Sequence, residues 1–101
     1  MLDLAIVGGG PSGLTAAIFA KKTSPKCRVA LWERHDRVGK KLLATGNGRC
    51  NLTNRSGLGG RYHGGSAFAG KVFARFGVED TLRFMEEIGI VPVEEDDGKV
   101  Y

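Results

Sequence analysis

Gly8-Gly9-Gly10-Pro11-Ser12-Gly13 has the spacing G-x-G-x-x-G, between the apolar run Leu4-Ala5-Ile6-Val7 and a stretch with helical periodicity. That setting gives the pattern chemical meaning. Gly8 permits a tight turn, Gly10 lets a pyrophosphate approach the backbone, and Gly13 lets a helix pack on the preceding strand. Pro11 and Ser12 open the helix, whose first N–H groups and positive dipole end favour phosphate. Glu33 lies 20 residues after Gly13 at the end of a second run, Arg28-Val29-Ala30-Leu31-Trp32, apolar from Val29 on. A carboxylate there accepts hydrogen bonds from a ribose diol and repels a phosphorylated ribose. The expected ligand is therefore FAD or NAD rather than NADP.

These groups must be carried by strand, turn, helix and strand within about 30 residues, the size of a βαβ unit. The spacing predicts parallel strands over 2–8 and 28–33 and a helix over about 12–22. In that helix Leu14, Ala17, Ile18 and Lys21 share a face, and Thr23-Ser24-Pro25 stops it. Residues 34–65 read as irregular, with helical turns near 38–43, because Asn47, Asn51, Asn54, Ser56 and several glycines favour turns. A loop of this length in a compact domain is expected to bind something. Helices are predicted over 66–76 and 79–88, separated by Gly77, and the stripe Phe68, Val72, Phe73 and Phe76 reads as core, as does Trp32. Ile90 to Glu94 reads as a strand and Asp97-Gly98 as a hairpin turn.

The chain has 101 residues, 42% of them hydrophobic and 26% charged, which fits one small globular domain. No run approaches the length needed to cross a membrane, and Met1-Leu2-Asp3 has no basic leader, so the chain reads as cytoplasmic. The 16 glycines follow no period, and they cluster where loops are expected to be shaped around a ligand. Residues 1–78 hold 13 Lys and Arg against Asp3, Glu33 and Asp36, a net +10, whereas residues 79–101 carry a net −6. The basic segment suits an anionic cofactor. A nucleic-acid partner is not favoured, because no RNA-binding signature is present and the basic residues are not interleaved with aromatics. Cys27 and Cys50 have no metal-ligand or redox spacing, and His35 and His63 stand alone, so no metal site is expected.

The run Glu33-Arg34-His35-Asp36-Arg37-Val38-Gly39-Lys40-Lys41 resembles the N-terminal FAD-binding segment of the glutathione-reductase-like flavoproteins. In those proteins the ribose acid is followed about six residues on by a glycine pair; here Lys40 occupies the second position. Gly39 to Asn54, GKKLLATGNGRCNLTN, is similar to the signature of a bacterial family of NAD(P)/FAD-dependent oxidoreductases. That family includes aminoacetone-oxidase-like proteins and the bile-acid 3-dehydro-Δ4,6-reductases. Gly98-Lys99-Val100-Tyr101 resembles the family's hairpin, so the likeness runs through the whole chain.

The resemblance implies an α/β fold: a Rossmann-like FAD-binding βαβ domain of the glutathione-reductase type, incomplete, with a C-terminal β-hairpin start. It divides the chain into an ADP-binding unit over 1–33, a cofactor loop over 34–65, and helices with the hairpin start over 66–101. It implies FAD as cofactor, a small-molecule substrate, and a longer parent protein, with two reactions open: NAD(P)H reduces the flavin, which then reduces an activated C=C bond, or an amine is oxidised with oxygen as acceptor. Beside Gly8, Gly10, Pro11, Ser12, Gly13 and Glu33, the cofactor-binding residues would be Arg34, Gly39, Lys40, Lys41, Gly46, Asn47, Gly48, Arg49, Cys50 and Asn51. Lys40 and Lys41 would neutralise the pyrophosphate. Arg49 would meet a phosphate or the negative charge of a reduced flavin. The loop backbone around Cys50 would wrap the flavin, with the thiol itself a packed residue. Two alternatives stay open: a flavin-free NAD-binding dehydrogenase domain and an RNA-modifying flavoprotein module.

Overall fold

The computed structural model describes residues 1–45, 48–57 and 62–101. The chain forms two compact units, Met1–Gly48 and Arg49–Tyr101.

In the first unit, β1 (Leu4–Val7) and β2 (Val29–Trp32) pair in parallel, with Leu4 opposite Val29 and Val7 opposite Trp32. The Asp3 carboxylate pins this register by accepting from the Arg28 backbone N–H at 2.8 Å and from its Nε at 3.2 Å. Helix α1 (Pro11–Thr23) joins the strands. Pro11 opens it, its fixed φ matching the first helical position. Lys21 and Lys22 stand in its last turn, where positive charge is favoured. The Lys21 ammonium donates to the carbonyls of Pro25 and Cys27 and closes the turn into β2. Leu4, Ile6 and Leu14 are half-buried where the helix covers the sheet. The opposite sheet face is bare. Val7 is 86% and Trp32 55% exposed, so the expectation that Trp32 is core is corrected. Among the described residues a single helix covers this sheet, and it covers one side only. A short helix α2 (Lys40–Leu43) follows the predicted turns near 38–43.

In the second unit, β3 (Thr53–Asn54) pairs antiparallel with β4 (Lys99–Val100). The segment 34–65, expected to be irregular apart from helical turns near 38–43, thus also holds the short strand β3. Two residues are too few for an alternating pattern to show. Val93 and Tyr101 exchange backbone hydrogen bonds at 3.0 Å, and Glu94 bridges Val100. The strand expected over 90–94 is therefore shortened to this pairing, because Pro92 has no N–H to give to a ladder. The hairpin turn is present. Gly98 N–H donates to the Glu95 carbonyl, Glu95 N–H donates to the Lys99 carbonyl, and Gly98 has a φ of 82°. This is a three-residue loop closed by a left-handed glycine.

Val100 and Phe84 are the buried hydrophobic side chains of the described residues, 1% and 5% exposed. Helices α3 (Ser66–Arg75) and α4 (Val78–Glu87) lie within a residue of their predicted spans at every boundary. Asp80 caps α4 by accepting the Gly77 N–H at 2.9 Å. The Arg55 guanidinium forks to Glu79 at the start of α4 and to Glu94 in the hairpin. The stripe on α3 is corrected. Phe68, Val72 and Phe76 are exposed and α3 has no buried residue, so in so small a unit the core is taken up by Val100 and Phe84.

Candidate functional site

The turn between β1 and α1 is built from glycines that do different work. Gly8 has a φ of 100°, and its N–H donates to the Trp32 carbonyl at 2.7 Å, so the turn begins where the ladder ends. A Cβ on Gly13 would lie 2.0 Å from the Gly8 carbonyl oxygen and 3.3 Å from Ile6 Cγ2. Helix and strand approach here more closely than any side chain permits. A Cβ on Gly10 would meet nothing within 4 Å, so that side of the turn is open. Gly10 precedes α1 in an extended conformation, no side chain caps the helix, and its first turn carries no acid. Pro11 and Ser12 are exposed at this end.

Glu33 leaves β2 and turns back onto the glycine turn. One carboxylate oxygen accepts the Gly9 N–H at 2.7 Å and the other accepts the His35 N–H at 3.0 Å. The Gly9 carbonyl in turn accepts the Gly39 N–H at 2.8 Å. Gly39 has a φ of 68° and leads into α2. Gly8, Gly10, Gly13, Glu33 and Gly39 therefore meet in one place. Sequence reasoning missed Gly9 and Val38, which lie in the same contact. Three consecutive glycines were the available sign for Gly9; nothing marked Val38.

The His35 N–H, then the Gly9 N–H, hold the Glu33 carboxyl below the usual glutamate range, against partial desolvation. Since the folded value lies below the unfolded one, the unfolded chain binds more protons between them, and stability rises with pH there. The contribution is fully present above the ordinary glutamate value of about 4.3 and is lost as pH falls through the depressed one. Exchange at the Gly9 amide, corrected for its intrinsic pH dependence, should be level from neutral pH to about 4.3 and rise below it. A rise already near pH 7 would show that Glu33 does not hold this amide.

The remaining predicted residues divide. Arg34 and Lys41 are exposed, while Lys40 pairs with Asp36 at 3.2 Å. Gly46 and Asn47 lie outside the described residues. Gly48 is exposed with a φ of 65°. In the second unit, Arg49 pairs with Glu95 and lies 5.2 Å from the centre of the Tyr101 ring. The cation expected to meet a phosphate or reduced flavin is thus engaged by an acid and an aromatic face. Cys50 is a half-buried free thiol. Asn51 lines an open groove of about 310 Å³ with Leu52, Thr53, Asn54 and Lys99. Among the described residues no three His, Cys, Asp or Glu side chains could hold a metal ion, and no helix is long and apolar enough to cross a membrane.

Residues 2–101 match the family model described as the HI0933-like protein Rossmann domain. The chain is 44% identical over 91 residues to a 3-dehydro-bile acid delta(4,6)-reductase of Clostridium scindens, covering 89% of this chain and 22% of that protein. It is 30% identical over 100 residues to the ribosomal RNA dihydrouridine synthase of Escherichia coli strain K12, covering 98% of this chain and 24% of that protein. The chain thus spans about a quarter of the length of these relatives or less. A family match over nearly the whole chain, together with a βαβ unit built around a glycine turn, makes this chain a member of the HI0933-like Rossmann domain family.

Proposed function

We propose that this chain holds the ADP half of FAD in a flavin-dependent reductase that takes electrons from NAD(P)H and reduces a C=C bond conjugated to a carbonyl. The carrying observation is the glycine turn, open at Gly10 and closed at Gly13, with Glu33 folded against it. These features fit a dinucleotide. The Gly10 side offers space for a pyrophosphate, and the uncapped N-terminus of α1 offers N–H groups. The Glu33 carboxylate keeps lone pairs for a ribose diol after accepting two backbone bonds. Lys41 and Arg34 add exposed positive charge in the same unit. Bound FAD supplies hydride chemistry, and the residues described here bind and orient it.

The substrate class is drawn from the two relatives. A 3-dehydro-Δ4,6 steroid is a dienone, and uridine carries a C5=C6 bond conjugated to a carbonyl. Both names describe saturation of an activated alkene. The 44% relative favours a small molecule. An RNA uridine is the second reading, favoured by the other relative and by the net +10 of residues 1–78.

The intact protein is expected to purify yellow, to bleach anaerobically on addition of NADH or NADPH, and to regain its colour with a 4,6-dien-3-one steroid. A colourless protein that binds NAD and no FAD would overturn the flavin reading in favour of a nicotinamide dehydrogenase. Reoxidation by a uridine-containing RNA, weakening steeply with salt, and not by the steroid would move the substrate to RNA.

A further inference from the structure

The backbone of Gly9 is held on both sides by the segment that follows β2. Glu33 takes its N–H at 2.7 Å, and Gly39 N–H reaches its carbonyl at 2.8 Å. Between these two bonds stands Val38. A Cβ on Gly9 would lie 2.8 Å from Val38 Cγ1, 3.1 Å from Val38 Cβ and 3.0 Å from a Glu33 carboxylate oxygen. The space that a side chain at position 9 would need is therefore filled by the valine branch. Gly9 differs here from its neighbours Gly8 and Gly10, where a Cβ would meet nothing within 4 Å. The G-x-G-x-x-G pattern leaves position 9 free; this structure does not.

We propose that Val38 is a positioning residue of the dinucleotide site: seated where a Gly9 side chain would lie, it holds the Glu33–Gly39 strap closed on the glycine turn, so that the phosphate-facing backbone is set before the ligand arrives. The strap fixes the two peptide units that flank Gly9 by one bond each, and the second of them leads directly into Gly10, the open position. Backbone held in this way loses less freedom when a phosphate docks beside it, which is how a preformed site gains affinity. Val38 is 47% exposed, so the branch facing Gly9 is packed and the rest is in solvent. Its truncation removes little buried surface, and this separates a positioning role from a general contribution to the fold.

The proposal rests on the flavin reading above, and its test keeps the two apart. In the intact protein, stripped of flavin, FAD is titrated into Gly9→Ala, Val38→Ala, the double variant and Val38→Thr. Gly9→Ala is expected to weaken FAD binding by about tenfold or more through overpacking against Val38. In the double variant the affinity should recover in part, binding FAD severalfold better than Gly9→Ala, because alanine at 38 removes the 2.8 Å contact with Cγ1 and leaves those with Val38 Cβ and the Glu33 oxygen. Val38→Ala alone should bind FAD several-fold more weakly and exchange its Gly39 amide faster in the ligand-free protein, at an unchanged melting temperature. Val38→Thr, which keeps the branch, should behave as wild type.

Gly9→Ala and the double variant binding FAD equally poorly would overturn the interlock. Wild-type affinity and wild-type Gly39 exchange in Val38→Ala would do the same, even where Gly9→Ala does not fold. A wild-type protein that binds no FAD overturns the flavin reading instead. Ligand-free exchange and melting of the same variants then decide the interlock by themselves.

Discussion

Replacing Glu33 by alanine is expected to lower FAD affinity by about ten- to hundredfold, the span for losing a charge-assisted hydrogen bond. The loss has two sources. The proposed ribose acceptor is removed, and the amides of Gly9 and His35 lose theirs. Glu33→Gln should fall between alanine and wild type. A side-chain amide has one acceptor oxygen, so it satisfies one backbone N–H and turns a donor toward the other. A flavin titration of the two variants, read beside exchange at the Gly9 amide, separates the sources. Faster exchange with unchanged flavin affinity would mean that Glu33 holds the turn and does not face the ribose.

Gly13→Ala should have the largest effect on stability. The new methyl would lie 2.0 Å from the Gly8 carbonyl oxygen, which shares a peptide plane with the Gly9 N–H held by Glu33 at 2.7 Å. Backbone stands on both sides of the clash, so no side chain can swing away. The variant is expected to lose about 3 kcal/mol or more in denaturant unfolding of the intact protein. Gly10→Ala is the contrast. Its φ of −80° suits alanine and its Cβ meets nothing, so the unfolding midpoint should stay put while flavin content falls. A Gly13→Ala protein as stable as wild type would show that α1 and β1 are further apart than described.

The positions that carried a strong local signal could be read from the sequence. A short apolar run, a glycine turn with proline at the helix start, and an acid ending the second run led to β1, α1 and β2 in parallel register. Gly77 and Gly89 likewise bounded α4. What escaped was non-local. β3 has two residues and exists through its partner β4, 45 positions away. The Arg49–Glu95 pair spans 46 positions, and no spacing rule links a glycine-loop arginine to a hairpin glutamate. Val38 joins the site through one methyl group against a missing side chain, which composition and periodicity do not register. The aromatic stripe of α3 had helical spacing, but spacing alone does not say whether another element covers the face.

Trp32, the chain's one tryptophan, accepts the Gly8 N–H through its carbonyl and is followed directly by Glu33, with its indole half in solvent. An indole emitter is thereby fastened one peptide from the turn proposed to receive the cofactor. The isoalloxazine absorbs where indole emits, so the arrival of FAD should dim this fluorescence by energy transfer and its departure should restore it. This segment then carries its own optical gauge of cofactor loading, readable in a stopped-flow instrument without a label.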